Sequence, residues 1–130
     1  MKYILILLIA INSYGLELKI NHNFKEAITK AKQSNKRVLL FLKSGFCPWC
    51  HKMEKDVLKS NKVTEFINSN YVFLELDKDK DKHNYPKKFF SDIVPTTYLI
   101  DPNMQEKVHT MYGYVKADVF IDELDFYNDH

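Results

Sequence analysis

Val38-Leu39-Leu40-Phe41-Leu42-Lys43-Ser44-Gly45-Phe46-Cys47-Pro48-Trp49-Cys50 is the stretch whose reading decides the fold. Its first five residues are consecutively apolar and enclosed by Arg37 and Lys43, as expected of a central strand covered on both faces. Ser44-Gly45-Phe46 turns the chain, and Pro48 suits the first turn of a helix, where its missing N–H costs nothing. The two cysteines are the only two in 130 residues, and they stand three apart at that helix start. Placed so, they can form a small, easily reversed disulfide. A thiol there also meets unpaired backbone N–H groups and the positive end of the helix dipole, which favour thiolate over thiol. The pattern points to dithiol/disulfide chemistry with Cys47 as the nucleophile. C-x-x-C is also half of a zinc site and the opening of a haem-attachment motif, so the surrounding chain has to decide.

Working outward from this stretch, Asn23 is placed to cap a helix whose apolar positions Phe24, Ala27, Ile28 and Ala31 share one face, and Asn35-Lys36 ends it. Beyond the cysteines, Met53, Val57 and Leu58 bury one side of a helix that weakens near Ser60-Asn61, and Val63, Phe66 and Ile67 mark a second helical segment. Tyr71 to Leu76 reads as a strand. The alternating run Asp77-Lys78-Asp79-Lys80-Asp81-Lys82 reads as a solvated loop, because its interleaved lysines oppose cation binding. Pro86 to Asp92 is expected to form a helix carrying Phe89 and Phe90. Val94-Pro95-Thr96 begins a strand through Ile100, Pro102-Asn103 turns, and Val108 to Tyr112 is the second arm of a hairpin. Gly113 breaks it, and Ala117 to Tyr127 closes the chain as a helix with Val119, Phe120, Leu124 and Tyr127 at helical spacing. This order predicts an α/β fold, a central mixed β-sheet with helices on both faces.

The first fifteen residues read as an export signal. Lys2 precedes the apolar run Tyr3 to Ile11, too short to span a bilayer, where roughly 20 residues are needed. Ser13 and Gly15 supply the small-x-small pattern of a cleavage site after Gly15. The expected division is a signal peptide over 1–15 and one domain over 16–130, with a periplasmic destination; retention as an uncleaved anchor is the alternative. Net charge is +2, from 19 basic and 17 acidic residues, so no nucleic-acid footprint is implied. Arg37 is the sole arginine, which argues against bidentate phosphate recognition. An exported domain whose cysteines are one close pair has no disulfide framework, and that pair reads as a working couple.

With this order in place, the chain resembles the thioredoxin superfamily. The matching residues are the strand Val38–Leu42, the helix-opening Cys47-Pro48-Trp49-Cys50 and Val94-Pro95-Thr96 before the hairpin. Cys50-His51-Lys52-Met53-Glu54, Asp77 and Thr96 to Pro102 look especially like the exported thioredoxin-like proteins, among them the C-terminal domain of the transmembrane thiol reductant carrier. The resemblance implies the thioredoxin fold and a cis-proline at Pro95 facing the cysteines. It implies that Cys50 resolves the mixed disulfide formed by Cys47, and that Val94 and Pro95 offer backbone to an extended substrate. Pro48 and Trp49 then support the site and meet the substrate, while His51, Glu54 and Glu75 are the candidates for proton relay. Ordinary thioredoxins carry a buried aspartate and a lysine at the places that Phe41 and Phe73 hold here, so the usual proton acceptor is missing or replaced by Glu54 or Glu75.

The function that follows is an exported thiol:disulfide oxidoreductase, a reductase fed by a membrane thiol electron carrier. Its expected partners are protein thiols and disulfides, such as apocytochrome c or wrongly oxidised exported proteins, with no nucleic acid; a monomer, no cofactor and no metal are expected. Cys47-Pro48-Trp49-Cys50-His51 also spells a c-type haem attachment motif, with Met104, Met111 and His109 formally available opposite His51. The strands framing the motif favour the redox reading over that rival. A zinc module lacks a second cysteine pair. A non-catalytic thiol chaperone or binding module using the groove beside Pro95 is the third reading.

Overall fold

The computed structural model describes residues 16–129; the expected export signal lies outside them. Eleven residues, Phe24–Ser34, form α1 because both ends are capped. The Asn23 side chain accepts the Glu26 N–H at 3.0 Å, and Asn35 takes the left-handed conformation (φ 53°), from which the chain closes back on the last carbonyls. The buried residues Phe24, Ala27, Ile28 and Ala31 are the apolar stripe read from spacing. Strand β2, Arg37–Lys43, follows at once. All five apolar residues from Val38 to Leu42 have zero exposure, as a strand covered on both faces requires.

The sheet is mixed and five-stranded, in the order β1-β3-β2-β4-β5, where β1 is Ile20–Asn21, β3 Tyr71–Asp77, β4 Thr96–Asp101 and β5 Glu106–Tyr112. The first three run parallel; β4 and β5 are antiparallel to their neighbours. Alternation along β2 sends Val38, Leu40 and Leu42 to the core beneath α1, with Leu74, Tyr98 and Phe89. It sends Leu39 and Phe41 to the opposite core, with Met53, Val57, Ile67, Phe73, Phe120 and Leu124. That second core is covered by α2 (Pro48–Met53), α3 (Asn61–Asn70) and α4 (Ala117–Asp129). Helices therefore flank both faces, as the sequence predicts.

The expected helix over Pro86 to Asp92 is corrected to a single 3-10 turn, Lys87–Phe89. Phe90 is already extended (φ −66°, ψ 138°), and the hydroxyls of Ser91 and Thr96 take over the local hydrogen bonding in place of a helical ladder. Phe89 is fully buried, while Phe90 is 40% exposed. Val119, expected on the packed side of the last helix, is exposed; Phe120 and Leu124 carry that face. The helix after the cysteines does not run straight: α2 passes into a π-helical turn, Glu54–Leu58, and Ser60 restarts the chain as the cap of α3. Strand β4 begins at Thr96 rather than Val94, and β5 begins two residues before Val108 because Glu106 pairs with Asp101. Strand β1 has no counterpart in the sequence reading, since two residues carry no periodicity.

Candidate active site

Cys47 caps the helix that it opens. Its backbone is extended (φ −149°, ψ 93°), and its Sγ accepts the Cys50 N–H at 3.1 Å, one of the donors that a first helical turn leaves unpaired. Pro48 follows in the first turn. Cys47 and Cys50 are joined as a disulfide, with Cα atoms 5.2 Å apart. Both cysteines are buried in this oxidised form, Cys47 5% exposed and Cys50 2%. Capping is the reason, since it turns the Cys47 sulfur toward the helix N–H groups instead of water. The groups that do project are Phe46, 92% exposed, and Trp49, 58% exposed.

Trp49 leans on Tyr114, with ring centroids 5.8 Å apart. Tyr114 follows Gly113, whose φ of +78° lets the chain leave β5 sharply and whose N–H donates to the Pro95 carbonyl at 2.7 Å. The Val94–Pro95 peptide bond is cis. Its loop is held by Thr96 Oγ1 donating to the Ile93 carbonyl at 2.6 Å and by the Ile93 N–H donating to Ser91 Oγ at 3.1 Å. The Tyr114 hydroxyl donates to Asp56 Oδ2 at 3.3 Å, and Lys52 Nζ binds the same oxygen at 2.7 Å. This exposed pair shifts as expected: the hydrogen bond from Lys52 holds the Asp56 carboxyl below the usual range, and the bond to Asp56 lifts the Lys52 ammonium.

On the sheet face beneath α2, Phe41 and Phe73 stack at 6.3 Å, both buried, so the resemblance's acid and lysine positions hold an aromatic pair. Two residues further along each strand, on the same face, stand Lys43 and Glu75. Lys43 Nζ lies 3.0 Å from Glu75 and 3.3 Å from Glu54, with side-chain exposures of 32%, 12% and 25% for Lys43, Glu75 and Glu54. Partial burial pulls the Lys43 ammonium down, but the bond and charge of Glu75, then those of Glu54, outweigh it and hold its pKa above the ordinary lysine value. His51 and His22 stand at the ends of this cluster, 3.8 Å from Glu54 and 3.9 Å from Glu75. The cluster lines an open groove with Leu58, Thr64 and Phe73.

The structure thus gathers Glu54 and Glu75 onto Lys43, with His51 3.8 Å from Glu54, and links Trp49 to the Val94–Pro95 loop through Gly113 and Tyr114. Sequence reading missed Lys43 and Tyr114. Lys43 was findable, since it shares parity with Phe41; nothing local marks Tyr114. Of the residues weighed as haem ligands, His109 and Met111 are held in the fold and Met104 is not. His109 stacks on Tyr127 at 4.1 Å and approaches Glu123 without hydrogen-bond alignment, Met111 is buried, and Met104 is exposed. Among the described residues, no group of three His, Cys, Asp or Glu side chains is placed to hold a metal.

Comparison with known proteins agrees with this geometry. The family model of a thioredoxin-like domain matches residues 24–128. Spermatogenesis-associated protein 20 of Rattus norvegicus is 32% identical over 56 residues, 43% of this chain but 7% of that protein. Disulfide bond reductase DsbH of Chlamydia pneumoniae is 31% identical over 62 residues, 47% of this chain and 37% of that protein. The chain thus spans well under half the length of these curated relatives. A solved structure of DsbH oxidoreductase superposes with a TM-score of 0.73 at 18% identity, covering 87% of this chain and 85% of that one, which shows a shared fold. The chain belongs to the thioredoxin-like domain family.

Proposed function

We propose that this member of the thioredoxin-like family is an exported thiol:disulfide oxidoreductase working as a reductase. The observation that carries the reading is the disulfide at the mouth of α2, with Cys47 as its cap. In the reduced protein, Cys47 thiolate attacks a client disulfide, forming a Cys47–client disulfide and releasing one client thiolate. Cys50, deprotonated, then attacks Cys47 Sγ, closes the Cys47–Cys50 disulfide and releases the second client thiolate. Two electrons pass to the client, whose two thiolates take up protons. Glu54, one turn past Cys50 and tied through Lys43 to Glu75, is the acceptor assigned here to the Cys50 proton, with His51 beside it. Val94 and Pro95 receive the client backbone, and Trp49 its side chains.

Export over residues 1–15, leaving a domain over 16–130, is supported by the charged, apolar and small-residue order of that segment. The reductase direction is supported by the similarity to disulfide bond reductase DsbH, and electrons would come from a membrane dithiol carrier. Two measurements test the reading. Cys50→Ser is expected to trap mixed disulfides with clients and Cys47→Ser none; faster alkylation of Cys50 than Cys47 in the reduced protein overturns the roles. Equilibration with glutathione is expected to give a potential below about −220 mV. A value near the oxidant end, about −120 mV, overturns the direction.

A further inference from the structure

We propose that Tyr114 is a specificity-determining, positioning residue: it holds Trp49 as a fixed plate and sets the span between the cysteines and the Val94–Pro95 loop, so that an extended peptide disulfide is bound in preference to a small one. The proposal rests on the reading of the site given above. Three contacts fix Tyr114, two of them sharing the Lys52–Asp56 pair. Its backbone is hung from the Pro95 loop, because the preceding Gly113 N–H donates to the Pro95 carbonyl at 2.7 Å. Its hydroxyl reaches Asp56 Oδ2 at 3.3 Å, in the π-helical turn behind the cysteines. Lys52 Nζ, itself locked on Asp56, stands 5.2 Å from the ring centroid, at cation–π distance. The residue therefore braces the cysteine-bearing helix against the loop that is to receive a client.

The indole rests on this brace, which backs it on one side, and 58% of Trp49 remains exposed. A large flat side chain between two reactive cysteines is useful to a client only when it is already ordered, because ordering it at the moment of binding costs affinity. Tyr114 removes that cost in advance. A disulfide small enough to reach the sulfur without lying across Trp49 does not sense the brace; a peptide lying on the Val94–Pro95 loop does.

The test compares two substrates and uses the single tryptophan as reporter. Tyr114→Ala is expected to raise KM for a peptide disulfide with apolar residues flanking its cystine by about three- to tenfold, leaving kcat within about twofold. Its rate with glutathione disulfide is expected to stay at the wild-type value, while the Trp49 emission anisotropy falls. Tyr114→Phe, which keeps the ring, is expected to restore most of the KM and the anisotropy. Should Tyr114→Ala not fold, Tyr114→Leu, which keeps apolar bulk without the flat ring, carries the same expectations. A folded variant with unchanged KM for the peptide, or with equal losses on both substrates, overturns the proposal while the wild-type turnover leaves the reading of the site intact. A wild type that reduces neither substrate overturns both.

Discussion

Lys43 ends β2 with its ammonium between two carboxylates, 3.0 Å from Glu75 and 3.3 Å from Glu54, on the face that also carries Phe41 and Phe73. Lys43→Met keeps the stem but takes from Glu75, whose side chain is only 12% exposed, its lysine partner at 3.0 Å. The expected cost is about 1–3 kcal/mol in denaturant unfolding, the usual penalty of an unpaired, mostly buried polar group. The pH dependence has a definite sign. Lys43 has its folded pKa raised above 10.5, so its contribution is fully present below that value and is lost as pH rises through the folded pKa. The gap between wild type and Lys43→Met should therefore hold from neutrality to about pH 10 and close only above it. A gap that closes between pH 7 and 9 would falsify this account of Lys43.

At the scale of elements, α1 is held by two asparagines with different duties. Asn23→Ala removes the side-chain acceptor of the Glu26 N–H and should cost about 1 kcal/mol. Asn35 stands at φ 53°, so Asn35→Gly should be neutral or stabilising by up to about 1 kcal/mol, whereas Asn35→Ala should destabilise. Thermal unfolding of the three variants checks the order; equal losses at Asn35→Gly and Asn35→Ala would exclude backbone conformation as the cause. Both caps were legible because a helix end is a local event, written in adjacent residues. So were β2 and the cysteine turn, where five apolar residues meet a breaker and a proline. The π-helical turn was not, since one extra residue in a helix leaves Met53, Val57 and Leu58 buried either way. The Trp49–Tyr114 and Lys43–Glu75 contacts join distant positions, and no local periodicity announces a partner 65 or 32 residues away.

At the scale of the whole molecule, the charged run after β3 is a solvated loop that its own aspartates order. Asp77 Oδ1 accepts the N–H groups of Asp79 and Lys80, and Asp81 Oδ2 accepts that of Asp77. Tyr85 closes this loop onto the α1 core, its hydroxyl donating to the Lys78 carbonyl at 2.9 Å. Burial, then the neighbouring aspartates Asp79, Asp81 and Asp77, pushes the Tyr85 pKa up to about 12 from 10.0. A raised pKa makes the contribution present below pH 10.0 and lost as pH rises through about 12. Tyr85→Phe should cost about 1 kcal/mol at neutrality, the worth of one hydrogen bond, and the difference should vanish in that alkaline window. A constant difference up to pH 12, read by circular dichroism, would assign alkaline unfolding to another group. The margins of the sheet carry a different kind of consequence. On one side β1 offers two residues; on the other, β5 begins with the exposed Glu106 and Lys107 and is thrown out of register at Leu99/Ile100. Neither margin is a good template for another strand. The result is colloidal: Phe46 and Trp49 stand exposed on a molecule whose sheet margins are short on one side and charged and irregular on the other, so association between copies through their strand edges is disfavoured.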